Sequence, residues 1–217
     1  MTGDLLPAKV LATHTIANVS ETLAEKLGLP PEYRSIGIIT ADSDDVTYCA
    51  LDEATKAAAV EVVYGRSLYA GAANASTKLA GEVIGILAGP NPAEVQSGLR
   101  SCVDFMESGV GFRSANEDDS VIYFAHTVSR TGSYLSKTAG VKEGEALAYL
   151  IAPPLEAVVG LDEAMKASDV ELVALFEPPS ETNFGGGLLT GTQSACNAAA
   201  SAFAEAVKAV AQRPREV

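Results

Sequence analysis

Three carboxylates stand within four residues at Asp42-Ser43-Asp44-Asp45, directly after an apolar, β-branched run. Oxygen donors so placed suit a hard cation or an alkylammonium group, whose N–H donors need carboxylate or carbonyl acceptors. The calcium alternative fails on spacing. A calcium loop beginning at Asp42 would use Asp44 and Glu53, but Val46 stands where a ligand oxygen belongs and no glycine holds the sixth position. An amine site and a solvated turn both remain open.

Other residues with chemical potential carry weaker signals. His14 and His126, the two histidines, each precede a threonine in an apolar run, which reads as a histidine satisfied inside each domain and not as a catalytic base. Gly185-Gly186-Gly187-Leu188-Leu189-Thr190-Gly191 is glycine-rich, yet it lacks the Lys-Ser/Thr of a phosphate loop and the spacing of a dinucleotide fingerprint. It reads as a flexible loop. Ser129-Arg130-Thr131-Gly132-Ser133-Tyr134 suits a binding turn or a subunit contact equally. Cys49, Cys102 and Cys196 are odd in number and far apart, so they predict neither a disulfide framework nor a zinc site, but buried small side chains.

The elements that position these residues come twice. Leu51-Asp52-Glu53-Ala54-Thr55-Lys56-Ala57 is followed 110 residues later by Leu161-Asp162-Glu163-Ala164-Met165-Lys166-Ala167. Upstream, His14-Thr15-Ile16, Leu23 and Gly28 return 112 residues later as His126-Thr127-Val128, Leu135 and Gly140. Two domains of similar build follow, 1–110 and 111–217. A net charge of −13 argues against nucleic acid as a partner, because phosphates need clustered Lys and Arg. No apolar run reaches the length of a membrane span, and Met1-Thr2-Gly3-Asp4 lacks the start of a signal peptide, so the expectation is a cytoplasmic chain.

In the first half, the β-branched runs Val10 to Ala17, Ile36 to Thr40, Val46 to Ala50, Val60 to Val63 and Val83 to Ala88 predict strands. Leu51 to Ala59 predicts a helix, with Asp52 and Glu53 in its first turn and Lys56 nearer its end. A second helix starts at Asn91-Pro92-Ala93-Glu94 and stops at Gly109, with Val95, Leu99, Cys102, Val103 and Met106 as its apolar stripe. In the second half, strands are expected near Val121 to Val128, Ala146 to Ala152 and Val170 to Phe176, with helices at Leu161 to Ala167 and about Ser194 to Ala211. Thr190 and Gln193 are expected to form a capping box for the last of these. Strands that partly join directly and partly through helices give an α+β sandwich. Gly65 to Gly81 and Glu177 to Gly191 are long Gly-, Ser- and Asn-rich stretches at matching places, read as loops that meet at a common centre.

Longer strings are more specific than any of these motifs. Thr40-Ala41-Asp42-Ser43-Asp44-Asp45-Val46-Thr47-Tyr48, Val62-Val63-Tyr64-Gly65-Arg66-Ser67-Leu68-Tyr69-Ala70-Gly71, Gly89-Pro90-Asn91-Pro92-Ala93-Glu94, Val128-Ser129-Arg130-Thr131-Gly132-Ser133-Tyr134 and Ala152-Pro153-Pro154-Leu155-Glu156-Ala157 resemble the tandem-domain shell proteins of the ethanolamine-utilisation bacterial microcompartment. The resemblance spans nearly the whole chain, departing at the N-terminus and at Gly185 to Gly187. It implies two tandem circularly permuted bacterial microcompartment (BMC) domains, each a ferredoxin-like sheet-and-helix sandwich. It further implies a homotrimer that closes into a pseudohexagonal ring, tiles with other microcompartment shell proteins, and has no catalytic role.

The same resemblance assigns sites. Ethanolamine would bind in a small pore through Asp45, Glu82, Phe112 and Thr182: carboxylates for the ammonium, a hydroxyl for the alcohol and an aromatic face for the short chain. A central pore would be gated by the two long loops, through Gly71, Asn74, Asn183, Phe184, Gly185 and Gly186, with glycine permitting the backbone change. Cobalamin is a candidate further cargo. No resident cofactor or metal is expected. Read from the residues alone, a cytoplasmic small-molecule-binding regulator with its ligand at Asp42 to Asp45 is the alternative.

Overall fold

Capping residues set several helix starts. Ser20 Oγ accepts from the Leu23 N–H at 3.4 Å and opens α1 (Glu21–Leu27), which closes on Gly28 at a φ of 67°. Asn91 Oδ1 accepts from the Glu94 N–H at 3.0 Å and opens α3 (Pro92–Glu107), with proline in the first turn. Thr192 Oγ1 accepts from the Ala195 N–H at 3.1 Å and opens α6 (Gln193–Gln212). The expected box of Thr190 and Gln193 is not formed. Thr190 Oγ1 donates to the Ala146 carbonyl, and Gln193 Nε2 donates to Ser129 Oγ.

The computed structural model describes residues 1–67, 79–178 and 183–215. Its largest departure from the sequence expectation is α2 (Asp44–Ala57), which absorbs the run Val46 to Ala50 expected as a strand. The reason is periodicity. Val46, Ala50, Leu51 and Ala54 recur at helical spacing and are fully buried, and Asp44 and Asp45 place negative charge at the helix N-terminus. Its counterpart α5 (Pro154–Ala167) likewise begins before the expected Leu161, at a proline in the first turn. A further helix, α4 (Ser133–Ala139), begins with the last two residues of the polar stretch whose composition suits a binding turn or a subunit contact equally.

Residues 7–110 together with 132–135 make one compact unit, and residues 1–6, 111–131 and 136–217 make the other. The expected division at 110 therefore shifts in two short segments. The first unit holds an antiparallel sheet ordered β2-β3-β5-β4, from β2 (Val10–Ile16), β3 (Ser35–Ala41), β4 (Glu61–Ser67) and β5 (Val83–Gly89). The second repeats that order as β7 (Ile122–Val128), β8 (Ala146–Ala152), β10 (Gly185–Gly191) and β9 (Val170–Phe176). It adds β6 (Gly111–Ser114) and then β1 (Leu5–Pro7) at the β7 edge. The N-terminal segment is tied there by the Gly3 N–H to the Ser114 carbonyl at 2.8 Å and the Ser114 N–H to the Asp4 carbonyl at 3.0 Å.

Small residues on the sheets seat the helices. A Cβ on Gly37 of β3 would stand 2.7 Å from Val95, and one on Gly85 of β5 would stand 2.8 Å from Leu51, so α3 and α2 press directly on that face. The opposite face carries Ile36, Ile86 and Ala88 against Val19 and Ala24. In the second unit, Ala148, Leu150 and Leu189 of the sheet pack with Ala157, Leu161 and Ala164 of α5 and Ala199, Phe203 and Val207 of α6. Gly160 lets α5 meet α6 closely, since a Cβ there would lie 2.6 Å from the Phe203 ring.

β10 overturns the reading of Gly185 to Gly191 as a flexible loop. All seven residues pair with β8, from Gly185 with Ala152 to Gly191 with Ala146, and Gly186 to Gly191 pair with β9 on the other side. The glycines answer to close backbone approach. A Cβ on Gly187 would stand 2.6 Å from the Ala174 carbonyl oxygen, and Gly186, at a φ of 154°, has the Leu150 carbonyl where a Cβ would go. The histidines differ from expectation too: His14 is exposed on β2, whereas His126 is half-buried and stacks on Phe124 at 5.7 Å. Among the described residues no helix is long and apolar enough to cross a membrane.

Candidate functional site

The acidic cluster does not act as one group. Asp42 Oδ1 accepts the Lys9 N–H at 2.6 Å, which fixes the turn after β3. Asp44, at the start of α2, is 8% exposed and its Oδ2 accepts from Ser67 Oγ at 2.8 Å. Ser67 also meets the Tyr48 hydroxyl at 2.6 Å, so carboxylate, serine and phenol form a chain. Burial raises the Asp44 carboxyl above the usual range against the lowering effect of the Ser67 bond, and burial also raises Tyr48. Asp45, in the same turn, is 6% exposed.

Glu82 joins Asp45 at one end of the sheet. Ala41, the last residue of β3, pairs with Val83, the first of β5, and the Glu82 N–H donates to the Ala41 carbonyl at 2.8 Å. Gly81 makes this approach possible, with a φ of 62° and the Ala41 carbonyl where a Cβ would go. Asp45 therefore leaves this end of the first unit in the helix that follows β3, and Glu82 in the residue that leads into β5.

The second unit holds Phe112, half-buried on β6. Its ring lies 5.5 Å from Phe124 and 5.8 Å from Phe184, the latter edge-on at 74°. Two residues assigned to different roles, Phe112 to the ligand and Phe184 to the gate, thus touch. Asn183 turns the chain into β10 at a φ of 65°. Gly185 and Gly186 lie beyond that turn, buried inside β10. Thr182, Gly71 and Asn74 fall outside the described residues.

One polar residue escaped the sequence reading. Asp52 of α2 is 1% exposed, and its two carboxylate oxygens accept the N–H groups of Gly132 at 2.7 Å and Leu135 at 2.8 Å. Thr55 Oγ1 accepts the neighbouring Ser133 N–H at 3.1 Å. Two charge-assisted bonds hold the first turn of α4. Burial still raises the Asp52 carboxyl, with the two N–H donors and Lys56 opposing.

The BMC domain family matches residues 35–115, from β3 into β6. A bacterial microcompartment shell protein EutL of Clostridium perfringens is 68% identical over 214 residues, covering 99% of each chain. The chain belongs to the EutL family of bacterial microcompartment shell proteins. A second member, EutL of Salmonella typhimurium, is 56% identical over 97% of this chain and 96% of its own. The crystal structure of the ethanolamine utilization protein EutL of Leptotrichia buccalis superposes with a TM-score of 0.98 at 69% identity, each chain covered in full. The fold is accordingly that of tandem, circularly permuted BMC domains, an α+β sandwich with its sheet order repeated.

Proposed function

We propose that this EutL family member is a structural tile of the shell around an ethanolamine-utilising microcompartment, in which three copies close into a flat pseudohexagonal ring with a gated central pore. It is not an enzyme. Metabolites cross by diffusion, and the acidic lining favours a cationic amine. The observation that carries this reading is the repeated unit itself. One chain supplies two domains with the strand order β2-β3-β5-β4 and its echo β7-β8-β10-β9, so a three-fold ring contains six similar domains. Sequence identity of 68% to a named EutL shell protein over 99% of both chains supports the same reading.

Ethanolamine is the small ligand of this proposal, held by Asp45 and Glu82 through its ammonium, with Phe112 and Thr182 contributing an apolar face and a hydroxyl. The gate comprises Gly71, Asn74, Asn183 and Phe184. Gly185 and Gly186, paired within β10, anchor its base and do not supply its freedom. A gate wider than the amine site would also pass cargo of the cobalamin class. Electron microscopy of the purified protein tests the reading: flat arrays of rings with three-fold symmetry are expected, and dispersed particles without ring symmetry under all tiling conditions would refute it.

A further inference from the structure

Asp44 and Asp45 are neighbours in the first turn of α2, and both are enclosed, at 8% and 6% exposure. Asp44 Oδ1 accepts the Asp45 N–H at 2.9 Å, and Oδ2 accepts from Ser67 Oγ at 2.8 Å. The Asp45 side chain is a further hydrogen-bond partner of the Asp44 carboxyl. A hydrogen bond between two carboxyl groups needs a proton between them, because a carboxylate only accepts. Burial acts in the same direction, since two carboxylates in contact and out of water do not both stay ionised.

The surroundings fix this pair beside the amine acceptors. Ser67 ends β4 and pairs with Val83 of β5, which pairs in turn with Ala41 of β3. Asp44, its serine and Glu82 therefore gather at one end of the first unit's sheet. The Tyr48 hydroxyl meets Ser67 at 2.6 Å, and burial keeps that phenol protonated, so donors run from Tyr48 through Ser67 to Asp44. The titratable or charged groups around the pair are Tyr48, Cys49 and Asp52 on α2, Arg66 on β4, Glu82 ahead of β5, and Tyr134, whose ring lies 6.2 Å from that of Tyr48. Arg66 is exposed. α3 faces the same turn with Met106, whose uncharged sulfur lies 3.9 Å from Thr47 Oγ1.

We infer that Asp44 and Asp45 share one proton in the amine-free protein, and that an ammonium group bound at Asp45 sends it to solvent, so that the amine enters in exchange for a proton. The inference rests on the reading of Asp45 and Glu82 as acceptors for ethanolamine. The charges balance: the ammonium brings one positive charge, one proton leaves, and the pair passes from one negative charge to two. The amine itself stays protonated, as a lysine would. Because binding and proton release are linked, the sign follows. Affinity is low where the pair holds its proton, and it rises with pH until the pair is ionised in the free protein as well. A single proton limits that rise to about tenfold per pH unit.

Isothermal calorimetry of ethanolamine on the full-length protein tests the exchange, run from about pH 5 to about pH 8 in buffers of different ionisation heat. Wild type should bind more tightly as pH rises, with a binding heat that changes with the buffer. Asp44→Asn ends the proton sharing and leaves Asp45 in place, so it should bind with little change across the range and with a heat independent of the buffer. Ser67→Ala removes one donor from Asp44 and keeps both carboxyls, and should move the rise in affinity to higher pH. At the acid end of the range, infrared difference spectra on adding ethanolamine should show loss of a protonated-carboxyl band in wild type and none in Asp44→Asn. Wild-type binding with no dependence on pH or buffer overturns the proton exchange and leaves the amine site standing. A dependence that survives in Asp44→Asn places the proton on another group and overturns it equally. If wild type binds no ethanolamine at any pH, the amine site itself is overturned, and the exchange with it.

Discussion

The carboxylate of Asp52 accepts the backbone N–H of Leu135 at 2.8 Å, across 83 positions of sequence. With its other oxygen on the Gly132 N–H, it caps the first turn of α4 from outside that helix. Asp52→Ala leaves two buried donors unpaired, each at a cost of about 1–3 kcal/mol. Urea unfolding should show the full loss for Asp52→Ala and a smaller one for Asp52→Asn, which keeps one acceptor oxygen. Equal stability of Asp52→Ala and wild type would remove the cap from the account.

Asp44 gives the stability a pH dependence of definite sign. Burial raises its folded carboxyl above the ordinary value of about 3.9, so the native state binds more protons than the unfolded chain just above that pH. Its contribution is fully present below that value and is lost as pH rises through the folded one. Asp52 is raised in the same direction and adds to the slope. Urea midpoints measured from acid to neutral pH should fall less steeply for Asp44→Asn than for wild type. An unchanged slope would contradict the burial argument.

Gly160 sets the distance between α5 and α6, where a Cβ would already stand 2.6 Å from Phe203. Gly160→Val overpacks that contact and should cost about 1–3 kcal/mol, read as a lower thermal midpoint. Phe203→Leu in the same background, which withdraws the ring, should recover part of the loss. Additive losses would place the strain elsewhere.

Ethanolamine binding separates the carboxylates of the acidic cluster. Asp42 is committed to the Lys9 N–H, whereas Asp45 belongs to the proposed site. Isothermal calorimetry should show weak binding to wild type, none to Asp45→Ala, and binding retained by Asp42→Ala. Unchanged binding by Asp45→Ala would take that residue out of the site.

The repeat and most strands were legible in the sequence because alternation and β-branching speak locally, as in Val83 to Gly89 and Ala146 to Ala152. α2 was misread at its start because Val46-Thr47-Tyr48-Cys49 has strand composition, and only its burial against α3 and the sheet gives it a helical period. β10 was misread because glycines that admit close neighbours look, in sequence, like glycines that confer freedom; the distinction lies in Leu150 and Ala174, far along the chain. For the candidate site, the resemblance drew attention to Asp45 and Glu82, and their shared sheet end follows from the register of Ala41 with Val83. Asp52 was hidden by its twin. Asp162 sits in the same Leu-Asp-Glu-Ala string yet is exposed and paired with Lys166, so that string does not mark one as a buried cap and the other as surface.

Native mass spectrometry of the purified protein at low micromolar concentration tests the central claim most directly. The account predicts a dominant species at three times the 22.3 kDa chain mass. A dominant monomer or dimer would contradict the ring and favour a small-molecule-binding regulator built from the same two domains.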